Sequence, residues 1–343
     1  MANSFQKIGI IGAGAWGTAL ACVVARAGAM QAGAAPLVWA YEKDVAESIN
    51  VRHENARYLP GIALDPGIRA TGEDLAGARA LADCDLLLLA VPAQIVRGMA
   101  GKLAMLKKDR APAALVVCAK GVEQVSCKLM SEVVEEMLPG WPCAVLSGPS
   151  FAIEVARDLP AALTLAATDE ALGARIMAAL GARHFRLYAT DDVVGAQVGG
   201  AIKNVLAVAC GIVMGRGMGD NARAALITRG LAGMTRLALA LGARAETLMG
   251  LSGLGDLVLT CSSPQSRNMS LGMALGRGQK LDEILAARHG VTEGVATAAA
   301  ALALAQKHGV EMPIVEAVAA ILGKKAGIEA TIEALLARPM KGE

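Results

Sequence analysis

The chain has 343 residues, of which 55% are hydrophobic and 19% charged, a composition typical of globular rather than disordered proteins. This length allows two domains with separate cores. The formal net charge of +2 gives no argument for a nucleic-acid or membrane partner, so we expect any anion site to be local. The seven cysteines form no CxxC pair and the N-terminus lacks the regions of a signal peptide. We therefore expect reduced thiols, no metal site and a cytoplasmic protein.

The first half of the chain alternates short apolar runs with helical patterns. Such runs are typical of parallel strands covered on both faces. Strands are predicted at 7–11, 36–40, 85–91, 113–119, 143–147, 161–166 and 185–188. Helices are predicted at 16–28, 43–53, 93–106, 124–137 and 170–181, and a surface loop at 28–36. This alternation predicts an α/β fold with a doubly wound, Rossmann-like sheet.

After residue 192 the strand pattern stops and long helical segments follow. We predict a dinucleotide-binding domain over 1–192 and an all-α domain with substrate-binding and catalytic residues over 193–343. The active site should lie between them, at the carboxyl ends of the strands. The longest apolar run, 193–214, approaches the length of a membrane span, but Gln197, Lys203 and Asn204 interrupt it. It is therefore predicted to be a buried helix rather than a membrane-inserted one.

The segment GAGAWG directly follows the first predicted strand and opens a helix. Gly12 permits a tight turn, Gly14 lets a pyrophosphate approach the backbone, and Gly17 lets the helix pack close to the sheet. A lone GxGxxG motif is weak evidence, but the strand before it and the helix after it are the required context. The segment predicts dinucleotide binding.

Polar residues follow several predicted strands at the edge where a cofactor would lie. Glu42 is placed to accept a hydrogen bond from an adenosine ribose hydroxyl, although it is equally suited to capping the next helix. Lys120 would bring a cation into the cleft, unless it is a surface lysine with a buried stem. Gly148 and Ser150 lie in a turn that suits a small polyol or phosphate but, taken alone, is only a turn.

Lys203 is the one charged residue on a helical face of small residues. The other members of that face are Ala196, Gly199, Gly200, Ala207 and Cys210. A lysine in such a groove has a lowered pKa and is suited to acid–base chemistry, whereas a structural pair with a carboxylate is the alternative. Further along, Arg267 is suited to bidentate phosphate binding, assisted by Ser266 and Asn268. Asp256 is placed to orient the lysine or a substrate hydroxyl.

Eight segments together resemble the bacterial NAD(P)-dependent glycerol-3-phosphate dehydrogenases. They are GAGAWGTALA, LLLLAVPAQ, AKGVE, LSGPSFAIEVA, VGGAIKNVLAVACGIVMG, GLSGLGDLVLTC, SPQSRN and VTEGV. They follow the family's order over nearly the whole chain, and most are more specific than the glycine motif. The resemblance implies a Rossmann-like domain followed by a helical domain, usually in a homodimer. It implies the interconversion of dihydroxyacetone phosphate and sn-glycerol 3-phosphate for glycerophospholipid synthesis.

The resemblance also assigns roles by position. It implies that Lys203 is the catalytic acid/base, and that the substrate site is formed by Lys120, Gly148, Ser150, Lys203, Asp256, Ser266, Arg267 and Asn268. Together with Gly12, Gly14 and Gly17 of the glycine motif, the implied NAD(P)H contacts are Ala15, Trp16, Tyr41, Tyr58, Lys120, Ala152, Arg267, Val291 and Glu293.

The cofactor preference follows less directly, because Tyr41 occupies a position that is often basic in this family. The loop before the second strand is also longer than the family pattern. With Glu42 nearby, a 2′-phosphate should be repelled unless Lys43 or Arg26 compensates. We therefore expect NADH to be used at least as well as NADPH.

Two other functions are compatible with this plan. A ketopantoate-reductase-like dehydrogenase shares the two domains and a catalytic lysine, but the QSRN segment and the GPSFA turn argue against it. A non-catalytic, dinucleotide-sensing regulator would need none of Lys203, Asp256 and Arg267.

Overall fold

The computed structural model describes residues 5–31, 35–106, 114–288 and 290–339. The strands are β1 Ile8–Ile11, β2 Leu37–Trp39, β3 Glu54–Asn55, β4 Leu59–Ala63, β5 Arg69–Thr71, β6 Leu86–Leu89, β7 Ala114–Val117, β8 Cys143–Ser147, β9 Ala161–Ala166 and β10 Phe185–Thr190. The helices of the first half are α1 Ala15–Gln31, α2 Lys43–Arg52, α3 Arg79–Ala82, α4 Val96–Leu106, α5 Met130–Met137, α6 Ala152–Ala156 and α7 Glu170–Leu180. Those of the second half are α8 Val193–Gly215, α9 Gly219–Ala240, α10 Ala245–Met249, α11 Asp256–Ser262, α12 Arg267–Gly276, α13 Leu281–Ala286, α14 Glu293–Lys307, α15 Pro313–Leu322 and α16 Ile328–Leu336.

One sheet forms the centre of the first half, in the order β10-β9-β8-β7-β6-β1-β2-β5. Its central strands are fully buried apolar runs, as in IGII of β1 and LLLL of β6. Apolar cores lie on both faces of the sheet, which is why these strands show no alternation of polar residues. The Rossmann-like domain followed by a helical domain agrees with the predicted fold class.

One junction of the sheet, between β8 and β9, is antiparallel. β8 and β9 pair antiparallel, whereas β9 and β10 are parallel to each other. A parallel connection needs a long crossover, usually with a full helix, and α6 between these strands has only five residues. The predicted doubly wound sheet is therefore parallel except at this junction.

Two local predictions fail, and three short strands were not predicted. The predicted loop at 28–36 is wrong at its start, because α1 continues to Gln31, and residues 32–34 lie outside the described residues. The helix predicted at 124–137 begins only at Met130, because Val122 and Leu129 form a bridge and Cys127 adopts a positive φ of 57°. The hairpin β3–β4 and the edge strand β5 were not predicted, since they are only two to five residues long.

The second half is helical throughout its described residues, and α8 runs through its centre. α8 is long and apolar enough to cross a membrane, but 83% of its most apolar window is buried inside the protein. α8 is therefore a buried core helix, as predicted. α8 contributes Ala196 to the core on one face of the sheet and Ile202 to the core of the helical half.

Candidate active site

The glycine turn between β1 and α1 has the geometry of a dinucleotide-binding site. Gly12 adopts a φ of 114°, and a Cβ there would lie 2.7 Å from the carbonyl oxygen of Ala90. A Cβ on Gly17 would lie 1.8 Å from the carbonyl oxygen of Gly12, so this position requires glycine. A Cβ on Gly14 would contact nothing within 4 Å. The turn is therefore tight on its protein side and open on the side where a pyrophosphate would approach α1.

Two polar groups near this edge fit a bound dinucleotide. Within the described part of the chain, Trp16 Nε1 and Glu293 Oε2 are buried without a hydrogen-bond partner. The other carboxylate oxygen of Glu293 accepts a 3.1 Å hydrogen bond from the backbone N–H of Ala93, just after β6. Burial raises the pKa of Glu293 above its usual range. Buried polar groups rarely stay unpaired, so these atoms favour a polar ligand at this edge.

The end of β2 carries the predicted adenosine-binding residues. Tyr41 is 80% exposed, with its ring edge against Trp39 at a centroid distance of 6.4 Å. Glu42 does not cap α2 with its side chain; its Oε1 instead accepts a 2.5 Å hydrogen bond from the Tyr58 hydroxyl. Arg57 has its Nη2 3.9 Å from the same oxygen. The negative charge of Glu42 is therefore partly balanced by Arg57, whereas the prediction of cofactor preference treated that charge as unbalanced.

Lys203 is held by two groups of α11. Its Nζ donates to Asp256 Oδ1 at 2.5 Å and to Thr260 Oγ1 at 3.0 Å. Small residues of α8 let the neighbouring backbone approach closely, because a Cβ on Gly199 would lie 2.3 Å from the carbonyl oxygen of Ser252. Burial lowers the pKa of Lys203 to about 8, although the charge of Asp256 opposes this effect. The lysine therefore has both the carboxylate partner and the lowered pKa that the sequence analysis treated as alternatives.

Lys120 reaches the same carboxylate from the end of β7. Its Nζ lies 2.8 Å from Asp256 Oδ2, 2.8 Å from the carbonyl oxygen of Gly148 and 3.4 Å from Ser150 Oγ. Gly148 adopts a φ of 134°, and a Cβ there would lie 3.0 Å from Leu163 Cα. The side chains of Lys120 and Asp256 are only 15% and 1% exposed. Lys120 is thus a partly buried member of the site rather than a surface lysine.

Asn268 joins the start of α12 to this cluster. Its Nδ2 donates to Asn204 Oδ1 at 2.9 Å, and its Oδ1 accepts from the N–H of Gly294 at 2.8 Å. Asn204 in turn donates to the carbonyl oxygen of Lys120 at 3.3 Å. Ser266 is buried and caps α12, its Oγ accepting from the N–H of Met269 at 3.2 Å.

Arg267 begins α12 as an exposed residue. Its Nη1 lies 3.0 Å from the position that a Cβ would occupy on Gly290, and its charge acts on buried Glu293. Val291 is 41% exposed on the same segment. Ala152, at the start of α6, packs against the core beneath the glycine turn, as do Ala15, Trp16 and Tyr58. The hydrogen bond from the N–H of Ala93 to Glu293 places the segment of Val291 and Glu293 at the carboxyl edge of the sheet, where Tyr41 is also exposed.

Three residues of the site were not assigned roles from sequence. Thr260 was recognisable as one helical turn after Asp256, and Asn204 as the neighbour of Lys203. Arg57 gave no local signal, because it lies in the hairpin connection that was not predicted.

The chain matches the model of the NAD-dependent glycerol-3-phosphate dehydrogenase N-terminus over residues 7–173 and that of the C-terminus over residues 192–333. The chain belongs to this family. Among its members, an NAD(P)+ glycerol-3-phosphate dehydrogenase of Caulobacter vibrioides is 59% identical over 340 residues, covering 99% of each chain. The corresponding protein of Parvibaculum lavamentivorans is 54% identical over 343 residues, covering 100% of each chain.

The family membership extends to the fold. The crystal structure of a glycerol-3-phosphate dehydrogenase from Coxiella burnetii superposes with a TM-score of 0.90 at 38% identity. The match covers 97% of this chain and 99% of that one. Both the predicted family and the predicted order of the two domains are confirmed.

Proposed function

We propose that the chain catalyses reversible hydride transfer between NAD(P)H and dihydroxyacetone phosphate, giving sn-glycerol 3-phosphate for glycerophospholipid synthesis. The observation that carries the proposal is the buried Lys203–Asp256–Lys120 cluster at the carboxyl edge of the sheet that carries the glycine turn. Relatives of nearly equal length that bear the name of this activity support it.

Lys203 supplies the proton. The dinucleotide, when bound, supplies the hydride chemistry, and the chain contributes placement and charge. An ammonium group has three N–H donors, and Asp256 and Thr260 occupy two of those on Lys203. The third is left for the substrate carbonyl oxygen, which it stabilises and protonates as negative charge develops. In the reverse direction the neutral amine accepts the proton of the alcohol.

Asp256 holds two cations in one buried site. It accepts hydrogen bonds from both Lys203 and Lys120, so the three groups together carry a net positive charge. That charge suits an anionic, phosphorylated substrate and favours the developing alkoxide. Lys120, Gly148 and Ser150 border the substrate at the ends of β7 and β8.

The phosphate binds at the start of α12. Arg267 offers a planar guanidinium that can contact two phosphate oxygens, and Ser266 and Asn268 flank it. The N-terminus of this ten-residue helix adds a favourable dipole. Hydrogen bonds from Asn268 to Asn204 and from Asn204 to Lys120 connect the phosphate end of the substrate site to the end where the reaction takes place.

A dinucleotide would bind along the carboxyl edge of the sheet. The glycine turn and the first turn of α1 would hold its pyrophosphate, and the end of β2 its adenosine. The residues that would contact it are Gly12, Gly14, Ala15, Trp16, Gly17, Tyr41, Tyr58, Lys120, Ala152, Arg267, Val291 and Glu293.

We place the domain boundary between residues 192 and 193, where β10 has ended and α8 begins. The functional unit is a cytoplasmic homodimer without a nucleic-acid partner or an inserted membrane segment. The burial of α8 supports the last point.

An absorbance assay at the reduced nicotinamide band tests the function. The expected result is oxidation of NADH or NADPH with dihydroxyacetone phosphate, little with unphosphorylated dihydroxyacetone, and none with ketopantoate. Turnover of ketopantoate would favour the related reductase. Dinucleotide binding without turnover of any ketone would favour the sensing regulator.

A further inference from the structure

The connection between β3 and β4 brings a cation to the end of β2. It carries Arg57 and Tyr58 and lies beside Glu42, the residue before α2. The carboxyl end of the second strand is where a doubly wound sheet receives the adenosine ribose, and the placement of the ribose here rests on the proposed function. The charges around this point therefore decide whether a 2′-phosphate is accepted.

The carboxylate of Glu42 is hydrogen-bonded to Tyr58. The Tyr58 hydroxyl donates a 2.5 Å hydrogen bond to its Oε1, and its side chain is only 24% exposed. Burial, followed by the hydrogen bond to Glu42, raises the pKa of Tyr58, so the phenol keeps its proton and remains a donor. Tyr58 thus satisfies part of the carboxylate that sequence reasoning treated as a free negative charge.

Arg57 is held loosely between two carboxylates. Its Nη2 lies 3.9 Å from Glu42 Oε1 and its Nη1 3.8 Å from Asp44 Oδ2, both beyond hydrogen-bond length. The guanidinium carbon lies 5.4 Å from the centroid of the Tyr58 ring, and the side chain is 47% exposed. The guanidinium is therefore oriented near the ribose end without a short ion pair that a ligand would have to break.

The other basic residues considered from sequence are placed less well. Arg26 donates to the carbonyl oxygens of Val155 and Ala156 at 2.7 and 3.3 Å and pairs with Asp158 at 3.2 Å, so it is committed to α6. Lys43 is exposed on the first turn of α2 and presents a single ammonium. A guanidinium binds phosphate through two parallel N–H groups, which an ammonium cannot do.

We propose that Arg57 receives the 2′-phosphate of NADP(H) and sets how well this chain uses NADPH beside NADH. Approach of the phosphate exchanges two long contacts with Glu42 and Asp44 for a bidentate contact, while Tyr58 continues to hold Glu42. NADH, which lacks the phosphate, makes no such exchange. Arg57 therefore affects the binding of NADPH but not that of NADH.

Equilibrium binding tests the proposal without any turnover. NADPH and NADH are titrated into the wild type and Arg57→Ala, with the reduced nicotinamide fluorescence as readout, and 2′,5′-ADP and 5′-AMP are used as competitors. We expect Arg57→Ala to weaken NADPH and 2′,5′-ADP at least about tenfold, while NADH and 5′-AMP change less than about twofold. Arg57→Lys should recover only part of the loss.

Arg52→Ala is the matched control, since Arg52 lies in the same region and pairs with Glu54 at 3.0 Å on the surface. It should bind both cofactors like the wild type. Equal weakening of NADH and NADPH by Arg57→Ala would show a merely structural role, and loss of NADPH binding on Lys43→Ala but not on Arg57→Ala would assign the phosphate to Lys43. Either result overturns the proposal. If the wild type binds neither dinucleotide, the proposed function itself fails.

Discussion

At the scale of single residues, the site depends on one buried carboxylate shared by buried Lys203 and partly buried Lys120. Isolated burial of an ammonium is costly, and a lysine in that position normally loses its charge. Asp256 offsets this cost for Lys203 and Lys120 together, through hydrogen bonds of 2.5 and 2.8 Å. The result is a lysine whose pKa, about 8, lies close to neutral pH. An acid–base group works best when its pKa is near the working pH, which is what this arrangement provides.

Lys203→Ala should abolish most turnover because it removes the proton donor. We expect kcat for dihydroxyacetone phosphate reduction to fall at least about a hundredfold, the usual scale for general acid–base catalysis. Dinucleotide affinity, measured by fluorescence titration, should change little, because the glycine turn lies on β1 and α1. Lys280→Ala, at an 83% exposed side chain, is the control and should keep wild-type turnover. Near-normal kcat in Lys203→Ala would remove this residue from the mechanism.

The pH dependence should have opposite signs in the two directions. Reduction of the ketone needs protonated Lys203, so kcat/KM should be constant below its pKa and fall as the pH rises through about 8. Oxidation of glycerol 3-phosphate needs the neutral amine, so kcat/KM should rise through the same region. Measuring both directions from about pH 6 to 10 at constant ionic strength checks this. A reduction profile with no break in that range would contradict the assignment.

At the scale of elements, α8 and α12 pack closely because glycines lie on both helices where they cross. A Cβ on Gly272 would lie 2.1 Å from the carbonyl oxygen of Val208, and one on Gly211 would lie 2.1 Å from that of Met269. The backbones are therefore in direct contact at this crossing. The contact matters for the site because the first turn of α12 carries Asn268, which bonds to Asn204 on α8.

Gly272→Ala should therefore destabilise the protein, by about 1–3 kcal/mol, the usual cost of overpacking. Gly98→Ala is a matched control, because Gly98 lies inside α4 and a Cβ there meets nothing within 4 Å. It should stabilise the protein by about 0.5–1 kcal/mol through the better helix propensity of alanine. Thermal and urea unfolding of both variants provide the comparison. Equal effects of the two changes would show that the α8–α12 crossing can open without cost.

The elements also show which features a sequence can predict. Buried apolar runs such as β6 and α8 were predicted because their sequences are apolar enough to indicate the element by themselves. The short strands β3, β4 and β5 lack any such pattern and depend on tertiary pairing. For that reason Arg57, which lies between two of them, was missed. The antiparallel pairing of β9 with β8 was not predicted, because an apolar run does not indicate strand direction.

From the sequence, Asp256 was placed to orient either Lys203 or a substrate hydroxyl, and no contact between Asp256 and Lys120 was predicted. Lys120, Lys203 and Asp256 were each recognised, yet they lie far apart along the chain. Which carboxylate would pair with which lysine depends on how α8 and α11 meet the ends of the strands. Only the fold shows that both lysines share Asp256.

At the scale of the whole molecule, the two halves share buried structure. Ala196 of α8 belongs to the core on one face of the sheet, and Val193 packs against it. Val122 and Leu129, from the first half, belong to the core of the helical half. Polar contacts cross the same junction. Lys120 bonds to Asp256 at 2.8 Å, and the N–H of Ser131 donates to Gln197 at 2.9 Å. Separating the halves would leave Asp256 a buried charge with one partner fewer, which is costly.

We therefore expect the two halves to unfold together, although each is large enough to hold its own core. Scanning calorimetry should give one transition, with a calorimetric enthalpy close to the van't Hoff enthalpy. The dinucleotide turn lies in the first half, but free dinucleotide at about a hundred times its Kd should stabilise the whole transition, by about 2.7 kcal/mol. Near-ultraviolet and far-ultraviolet circular dichroism should lose their signals at the same temperature. Two resolved transitions, of which dinucleotide moves only one, would show instead that the halves are independent and that their shared contacts are too weak to couple them.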